Sequence, residues 1–162
     1  MFREVRKRDR ALSGEEAREI LARAEHGVLA TVGEDGWPYA VPLTHVLAGD
    51  VLYVHSALEG HKLDNLAHEA RVSYCAVASA TVMRESLSVL YESAVAFGRA
   101  EVVTNPEERE EALRLLIGRF RGEKEARAKD LSECAPDTAV IRIRIERITA
   151  KAHRSTPATQ NG

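Results

Sequence analysis

Residues Val28 to Ser56 read VLATVGEDGWPYAVPLTHVLAGDVLYVHS, which is three short apolar runs separated by two turn sequences. The turns are GEDG at Gly33 to Gly36 and AGD at Ala48 to Asp50, and both carry the glycine and aspartate that tight turns favour. Short runs rich in valine, threonine and tyrosine, with such turns between them, are typical of β-strands joined as hairpins. This stretch therefore predicts an antiparallel three-stranded meander.

Strand-like sequence returns from Arg71 to Val77, from Val89 to Val103, and in AVIRIRIERITAKAH from Ala139 to His153. The last run alternates between an apolar face and a charged face, as a strand with one wet face does. The apolar set is Ala139, Ile141, Ile143 and Ile145, and the charged set is Arg142, Arg144 and Glu146. A change of parity between Ile145 and Ile148 predicts a β-bulge.

Helices are predicted around these strands. Ser13 and Glu16 have the spacing of a capping box, and the helix that follows buries Ala17, Ile20, Leu21 and Ala24 before Gly27 ends it. HKLDNLAHEA predicts a short helix with Leu63, Leu66, Ala67 and Ala70 on one face. Asn105 as N-cap and Pro106 after it start another, with Leu113, Leu116, Ile117 and Phe120 buried. The type of structure from Gly122 to Cys134 stays open.

The strands number about six and do not alternate regularly with helices, so a doubly wound parallel sheet is not expected. The fold class that fits is mainly β: a mostly antiparallel barrel with peripheral helices. At 162 residues with 44% hydrophobic composition, the chain holds one domain with a sizeable core. We expect an N-terminal arm at residues 1–12, the domain at 13–154 and a disordered tail at 155–162.

Charge and cysteine content exclude several classes of protein. The 23 basic and 25 acidic residues give a net charge of −2, which argues against nucleic-acid binding by bulk charge. No apolar run is long enough for a membrane-spanning helix, and no membrane partner is expected. Cys75 and Cys134 form no CxxC motif, so a cytoplasmic location is expected, with Cys75 in the core.

Positive charge is scarce in the middle of the chain, where Lys62 is the only lysine between Lys7 and Lys124. Lys62 and His61 follow Gly60 in the first turn of the short helix, where the helix dipole disfavours a cation by about 0.3–1 kcal/mol. An anion held by the free N–H groups of that turn, with Lys62 as counter-charge and the Ser56 hydroxyl as donor, would resolve the conflict. The alternative is an exposed lysine and histidine in a polar loop.

Histidines and a proline raise further alternatives. His61 and His68 are two helical turns apart, too far to chelate one ion, so no metal site is predicted. His55 near a strand end fits either a ligand site or a hydrogen-bonded structural role. Pro42 lies inside a strand-like run, where it suits an edge strand or a flat ligand lying against Val41 to Thr44.

Five stretches in order resemble the FMN-binding split-barrel superfamily, and within it the pyridoxamine 5'-phosphate oxidase-like proteins of the nitroimidazole-resistance (Nim) type. They are GVLATVGEDGWPYAVPL at Gly27 to Leu43, VLYVHSALEGHKLDNL at Val51 to Leu66, VSYCAV at Val72 to Val77, YESAVAFGRAE at Tyr91 to Glu101, and IRIERITAKA at Ile143 to Ala152. The resemblance implies a six-stranded antiparallel split β-barrel, an FMN-binding domain at residues 13–154, and a homodimer with FMN at the subunit interface.

The resemblance also implies where FMN would lie. Val41, Pro42, Leu43 and Thr44 would line the isoalloxazine ring; His55, Ser56 and Ala57 would follow the ribityl chain; and His61 and Lys62 would hold the phosphate. Tyr91, Glu92 and Ser93 would lie at or near the flavin and the dimer contact.

The activity that the resemblance implies is an oxidoreductase passing electrons from NAD(P)H to a small organic acceptor such as a nitro-aromatic compound. Where a side chain supplies a proton, His55 and His45 are the candidates. The Arg- and Trp-containing motif of the true vitamin-synthesis oxidases is missing from the C-terminus, so pyridoxamine phosphate is not the expected substrate. Two alternatives remain: a non-catalytic flavin carrier or sensor, and a split-barrel protein that uses haem or a deazaflavin.

Overall fold

A computed structural model describes residues 2–122 and 137–155. The described chain forms one short 3-10 turn at Arg8–Arg10, three α-helices and six β-strands. In order, these are α1 (Gly14–Arg23), β1 (His26–Val32), β2 (Pro38–Ala48), β3 (Val51–Ala57), α2 (His61–His68), β4 (Arg71–Met83), β5 (Ser88–Val102), α3 (Pro106–Arg121) and β6 (Thr138–His153). The expectations for Cys134 and for a tail beyond Ser155 lie outside the described residues.

All six strands pair antiparallel in a closed barrel with the order β1-β2-β3-β6-β5-β4. The predicted mainly-β barrel with peripheral helices and the meander of β1, β2 and β3 are therefore confirmed. The predicted bulge is also present: Phe97 lies opposite Arg147 and Gly98 opposite Ile145, so Glu146 is the extra residue. A Cβ added at Gly98 would lie 2.0 Å from the Arg144 carbonyl oxygen, so only glycine fits opposite the bulge.

The core lies inside the barrel and is closed at one mouth by α1. Inward-facing residues of alternating parity are fully buried, among them Leu29, Leu52, Val54, Ile141 and Ile143. Helix α1 begins with the predicted capping box and contacts β2, β4, β5 and β6 through its buried apolar face. It ends at Arg23, before Gly27, because Ala24 is already extended as the chain turns into β1.

Helices α2 and α3 each depart from prediction in part. In α2 the residue on the buried face is Asn65, whose side-chain amide donates to Thr31 Oγ1 at 2.9 Å, while Ala67 is exposed. In α3 the cap at Asn105 accepts from the Glu108 amide as predicted, but Phe120 is 44% exposed in the last turn. Beside it, Arg119 reaches back to donate to the Ala22 and Ala24 carbonyls at the end of α1.

The predicted N-terminal arm contacts the barrel wall. The Leu12 amide donates to the Ala150 carbonyl at 3.1 Å, and Ala11 bridges Lys151. Farther out, Glu4 forms an ion pair with Arg147, and the ring of Phe2 lies 5.1 Å from that of Phe97. The arm therefore crosses the outer surface of β6 and β5.

Cys75 is exposed on the outer surface of the barrel, so the prediction of a core cysteine was wrong. Strand alternation gives the reason: Tyr74 and Ala76 on either side point inward and are fully buried. Neighbouring atoms still desolvate the thiol enough to raise its pKa.

Tyr74 and His45 form a buried polar pair between the barrel and α1. The His45 ring is inaccessible to solvent; its Nε2 lies 2.7 Å from the Leu21 carbonyl oxygen and its Nδ1 lies 3.0 Å from the Tyr74 hydroxyl. The same hydroxyl donates to the Leu43 carbonyl at 2.7 Å. Burial lowers the pKa of His45 and raises the pKa of Tyr74, so both groups are neutral near pH 7.

The lowered pKa of His45 makes stability depend on pH. Because the unfolded chain takes up this proton more readily than the folded one, the free energy of unfolding falls as the pH drops from 7.5 to 5.5, through the ordinary histidine range near 6.5. Glu16 and Glu92, whose pKa values are lowered from 4.5, contribute only at lower pH. We expect His45→Gln to flatten the pH dependence of the urea midpoint, whatever its effect on absolute stability.

The matched control is His68→Gln, because His68 is exposed on α2. This variant should show the same pH dependence as the wild-type protein. An equal loss of stability between pH 7.5 and 5.5 in His45→Gln and the wild type would contradict the assignment.

Candidate functional site

An open gap separates the halves of β2 and β3 that lie farthest from their connecting turn. The ladder between these strands runs only from Ala48 paired with Val51 to His45 paired with Val54. Beyond it, residues 38–44 pair with β1 alone and residues 55–57 pair with β6 alone. The two strands diverge at this point, and each presents an unpaired edge to the gap.

The first lip of the gap contains Val41 to Thr44. Val41 and Leu43 turn inward onto the core, whereas Pro42 is exposed and pairs only with Val28 of β1. Because proline has no N–H to donate, it suits a strand edge that has no partner on one side. The structure thus agrees with the edge interpretation of Pro42.

The second lip contains His55, Ser56 and Ala57. His55 and Ala57 are exposed, but Ser56 points to the opposite face of the strand and is 8% exposed. Its hydroxyl donates to the Ala57 carbonyl at 2.9 Å. The predicted use of this hydroxyl as a donor to an anion is therefore corrected: the hydroxyl is already engaged and does not share a face with His55.

The start of α2 closes one end of the gap. Gly60, the N-cap residue, has a φ of +124°, and no side chain caps the helix. The first N–H groups of a helix have no partner within it, and a Cβ added at Gly60 would meet nothing within 4 Å. Among the described residues Lys62 makes no ion pair, so its charge is uncompensated at the positive end of the helix.

The ring of His61 lies against a residue that the sequence analysis missed. Its centroid is 4.3 Å from that of Tyr39, which connects the helix start to β2. Tyr39 and Thr44 are five residues apart on this strand, or about 16 Å at the usual strand rise. In the sequence, only the position of Tyr39 two residues before Val41 in a strand-like run indicates that its side chain faces the same way. The lips and the helix start therefore form one continuous surface on the scale of a mononucleotide.

Tyr91, Glu92 and Ser93 lie elsewhere in the same chain. They belong to β5, which is three strands away from β2 in either direction around the barrel. Glu92 is held in place by Arg23 and Arg154, whose hydrogen bonds lower the pKa of its carboxyl group. The gap and this segment therefore lie on opposite sides of the barrel.

Of the two histidines predicted as proton donors, the structure leaves only His55 accessible. His45 is inaccessible to solvent and both of its ring nitrogens face partners in the protein. The two residues belong to adjoining strands beside the same gap, but His45 faces the core and His55 faces outward. His45 is thus a structural residue and does not reach a ligand at the surface.

Apolar side chains cover the outer face between the gap and the β5 segment. Across four neighbouring strands, Pro42 pairs with Val28, Val28 with Cys75, and Cys75 with Val95. Val28 is 37% exposed and Val77, opposite Ser93, is 49% exposed. This outer face, from Pro42 to Val95, is an uncovered apolar patch in the single chain.

In the described part of the chain, no group of three or more His, Cys, Asp or Glu side chains is arranged to hold a metal ion. No helix among residues 2–122 and 137–155 has the length and apolar composition needed to cross a bilayer.

Solved structures with this architecture come from several bacteria. A protein assigned to 5-nitroimidazole antibiotic resistance from Bacteroides thetaiotaomicron superposes with a TM-score of 0.69 at 22% identity, over 87% of this chain and 85% of that one. The flavocytochrome Anf3 from Azotobacter vinelandii gives a TM-score of 0.79 at 18% identity, over 98% and 76%. A FAD and heme binding protein from Mycobacterium smegmatis gives 0.73 at 27% identity, over 90% and 73%.

The sequence itself was compared with families and with curated proteins. No curated protein matches it. The profile described as pyridoxamine 5'-phosphate oxidase matches residues 13–152, which is most of the chain and includes the gap, α2 and the β5 segment. The chain therefore belongs to the pyridoxamine 5'-phosphate oxidase family and has its split-barrel fold.

Proposed function

We propose that this protein binds FMN in the gap between β2 and β3, as a homodimer, and passes electrons from NAD(P)H to a small organic acceptor such as a nitro-aromatic compound. One observation carries the proposal: an uncapped helix start bearing an uncompensated Lys62 lies at the end of an open gap about one mononucleotide long. The family match and the split-barrel fold support a flavin as the ligand.

At the phosphate end, the residues present fit a dianion. The free N–H groups at the start of α2 point along the helix axis, and Lys62 adds a full positive charge. His61, braced by Tyr39, lies in the same turn. Gly60 leaves open space where any other residue would place a Cβ, and its positive φ is one that only glycine adopts without strain.

At the other end, the residues present fit a flat ring. Pro42 and Thr44 of the first lip and His55 and Ala57 of the second lie on the outward faces of two diverging strands, whose unpaired edges offer backbone groups to a ring edge. When bound there, FMN supplies the redox chemistry, accepting a hydride and releasing electrons to an acceptor. His55 is the exposed titratable side chain on these two lips and the one suited to supply a proton.

The positions of two segments that the family resemblance assigns to one flavin support the proposed homodimer. Residues 41–44 and 91–93 occupy opposite sides of the barrel, so one subunit would supply the gap and the other the β5 segment. The apolar patch between them is the surface that a second copy would cover. The cofactor would then lie at the subunit interface, with two equivalent sites in each dimer.

The names of the related structures support flavin and electron-transfer chemistry in this fold. One is a flavocytochrome and another binds FAD and heme. Because one of these proteins binds heme, a split-barrel protein using haem or another cofactor is the second candidate. The absorbance spectrum of the purified protein separates the two, since bound haem and bound flavin absorb differently.

The first prediction concerns the phosphate. Lys62→Gln should weaken FMN binding at least tenfold, because it removes a charge-assisted contact to a dianion. The fraction of protein that retains FMN after gel filtration should fall accordingly. Lys7→Gln, which removes an exposed lysine from the arm, is the matched control and should retain FMN like the wild type. Equal flavin content in the two variants would overturn the assignment of Lys62.

The second prediction concerns the shared site. Lys62→Gln and Tyr91→Ala subunits should each bind FMN poorly, but refolding equal amounts together should restore about a quarter of the sites, because half of the dimers are mixed and each holds one intact site. Flavin content measured by absorbance checks this. No recovery on mixing would show that a site uses residues of one subunit only.

The third prediction concerns turnover. Under anaerobic conditions, NAD(P)H should bleach the flavin absorbance, and a nitro-aromatic compound should restore it. A protein that binds FMN but is not bleached would instead be a carrier or sensor. Such a result would reject the proposed activity while leaving the binding site intact.

A further inference from the structure

A cavity of about 490 Å³ lies between the N-terminal arm and β6, separate from the gap between β2 and β3. Its wall includes Glu4, Arg8, Leu12, Arg147, Ile148 and Thr149. The volume is within the range of small-molecule sites, which is roughly 300–1,000 Å³.

The cavity exists because β6 extends beyond the end of its pairing with β3. The Ile145 amide donates to the Asp50 carbonyl at 2.9 Å, next to the last pair that β6 makes with β3. The next contact along this edge is the hydrogen bond from the Leu12 amide to the Ala150 carbonyl. Between these points the arm spans an edge of β6 that pairs with no strand among the described residues.

Arg147 lies in the wall of this cavity, and its side chain is 36% exposed. Its Nη2 forms an ion pair with Glu4, while its buried Nε has no hydrogen-bond partner within the described part of the chain. Because Nε has no accessible surface, a molecule in the cavity would meet the outer edge of the guanidinium group. That group has five N–H donors, more than the single Glu4 carboxylate occupies, and charge-assisted bonds from it to an anion are strong.

The rest of the lining indicates what kind of molecule the cavity would take. Arg8 adds a second positive charge against the single carboxylate of Glu4. Val5, Leu12 and Ile148 add apolar surface. We propose that this cavity binds a small organic anion, whose charged group lies at Arg147 and Arg8 and whose apolar part lies against the arm.

The site is independent of the proposed flavin site but lies beside its β5 segment. Thr149 of the cavity wall pairs with Val95, and the next outward residue, Lys151, pairs with Ser93. The arm over the cavity is tied down through Glu4 and Phe2. A bound anion would add a further link between β6 and this arm.

The test uses the full-length ¹⁵N-labelled protein and follows the Arg147 Nε–H signal and the Thr149 amide by NMR. The probes are benzoate, its uncharged analogue benzamide, and inorganic phosphate. We expect benzoate to shift both signals saturably and benzamide to leave them in place at the same concentration. A response to phosphate as strong as that to benzoate would overturn the proposal of an organic anion, because it would show that the apolar surface adds nothing to binding.

Variants decide whether the arginines hold the anion. Arg147→Gln and Arg8→Gln should each weaken benzoate binding at least tenfold, followed at the Thr149 amide. Arg99→Gln, at an exposed arginine paired with Glu146 on the neighbouring surface, should not change it. If Arg147→Gln fails to fold, Arg8→Gln carries the comparison alone.

The proposal is overturned if benzoate causes no saturable shift, if benzamide binds equally well, or if Arg8→Gln binds benzoate like the wild type. Measurement with and without added FMN separates this site from the flavin site, since the expected shifts do not require the flavin.

Discussion

The barrel depends on one packed contact, in which the ring of Tyr74 lies over Gly27. A Cβ at Gly27 would come within 2.4 Å of that ring. Glycine at this position therefore allows β1 to pair with β4 while the Tyr74 ring lies over β1. The tyrosine hydroxyl then reaches Leu43 of β2 and His45, and His45 reaches α1. Three strands and the helix that closes the barrel mouth are joined by a single buried set of hydrogen bonds, where an unmet partner would be costly.

This contact also places the candidate site. Leu43 and His45, which both lie within hydrogen-bond distance of the buried Tyr74 hydroxyl, flank Thr44 on the first lip of the gap. Holding them inward against β1 leaves Pro42 and Thr44 facing outward, while β3 follows β6 on the other side. The divergence of the two strands is therefore a consequence of how each is held by its other neighbour. Each lip belongs to a strand that is paired on its other side, and α2 is tied to β1 by the hydrogen bond from Asn65 to Thr31.

Features written in local sequence were predictable, and features that depend on distant pairing were not. The capping box at Ser13, the cap at Asn105 and the bulge near Glu146 each follow from residues a few positions apart, and all three are present. Cys75 was misplaced because VSYCAV has small or apolar residues at both parities, so the pattern does not reveal which face is inside. His45 and His55 look alike in sequence, and only strand register separates the buried one from the exposed one. The gap itself depends on where one ladder stops, which no single stretch of sequence encodes.

Before the bulge at Glu146, odd-numbered residues of β6 such as Ile141 and Ile143 face the inside of the barrel. After the bulge, even-numbered residues such as Ala150 and Ala152 face the inside. Loss or gain of one residue between Ile145 and Ile148 would turn half of the strand inside out. At this place the number of residues is therefore constrained independently of which residues they are, and related chains should keep the same spacing here.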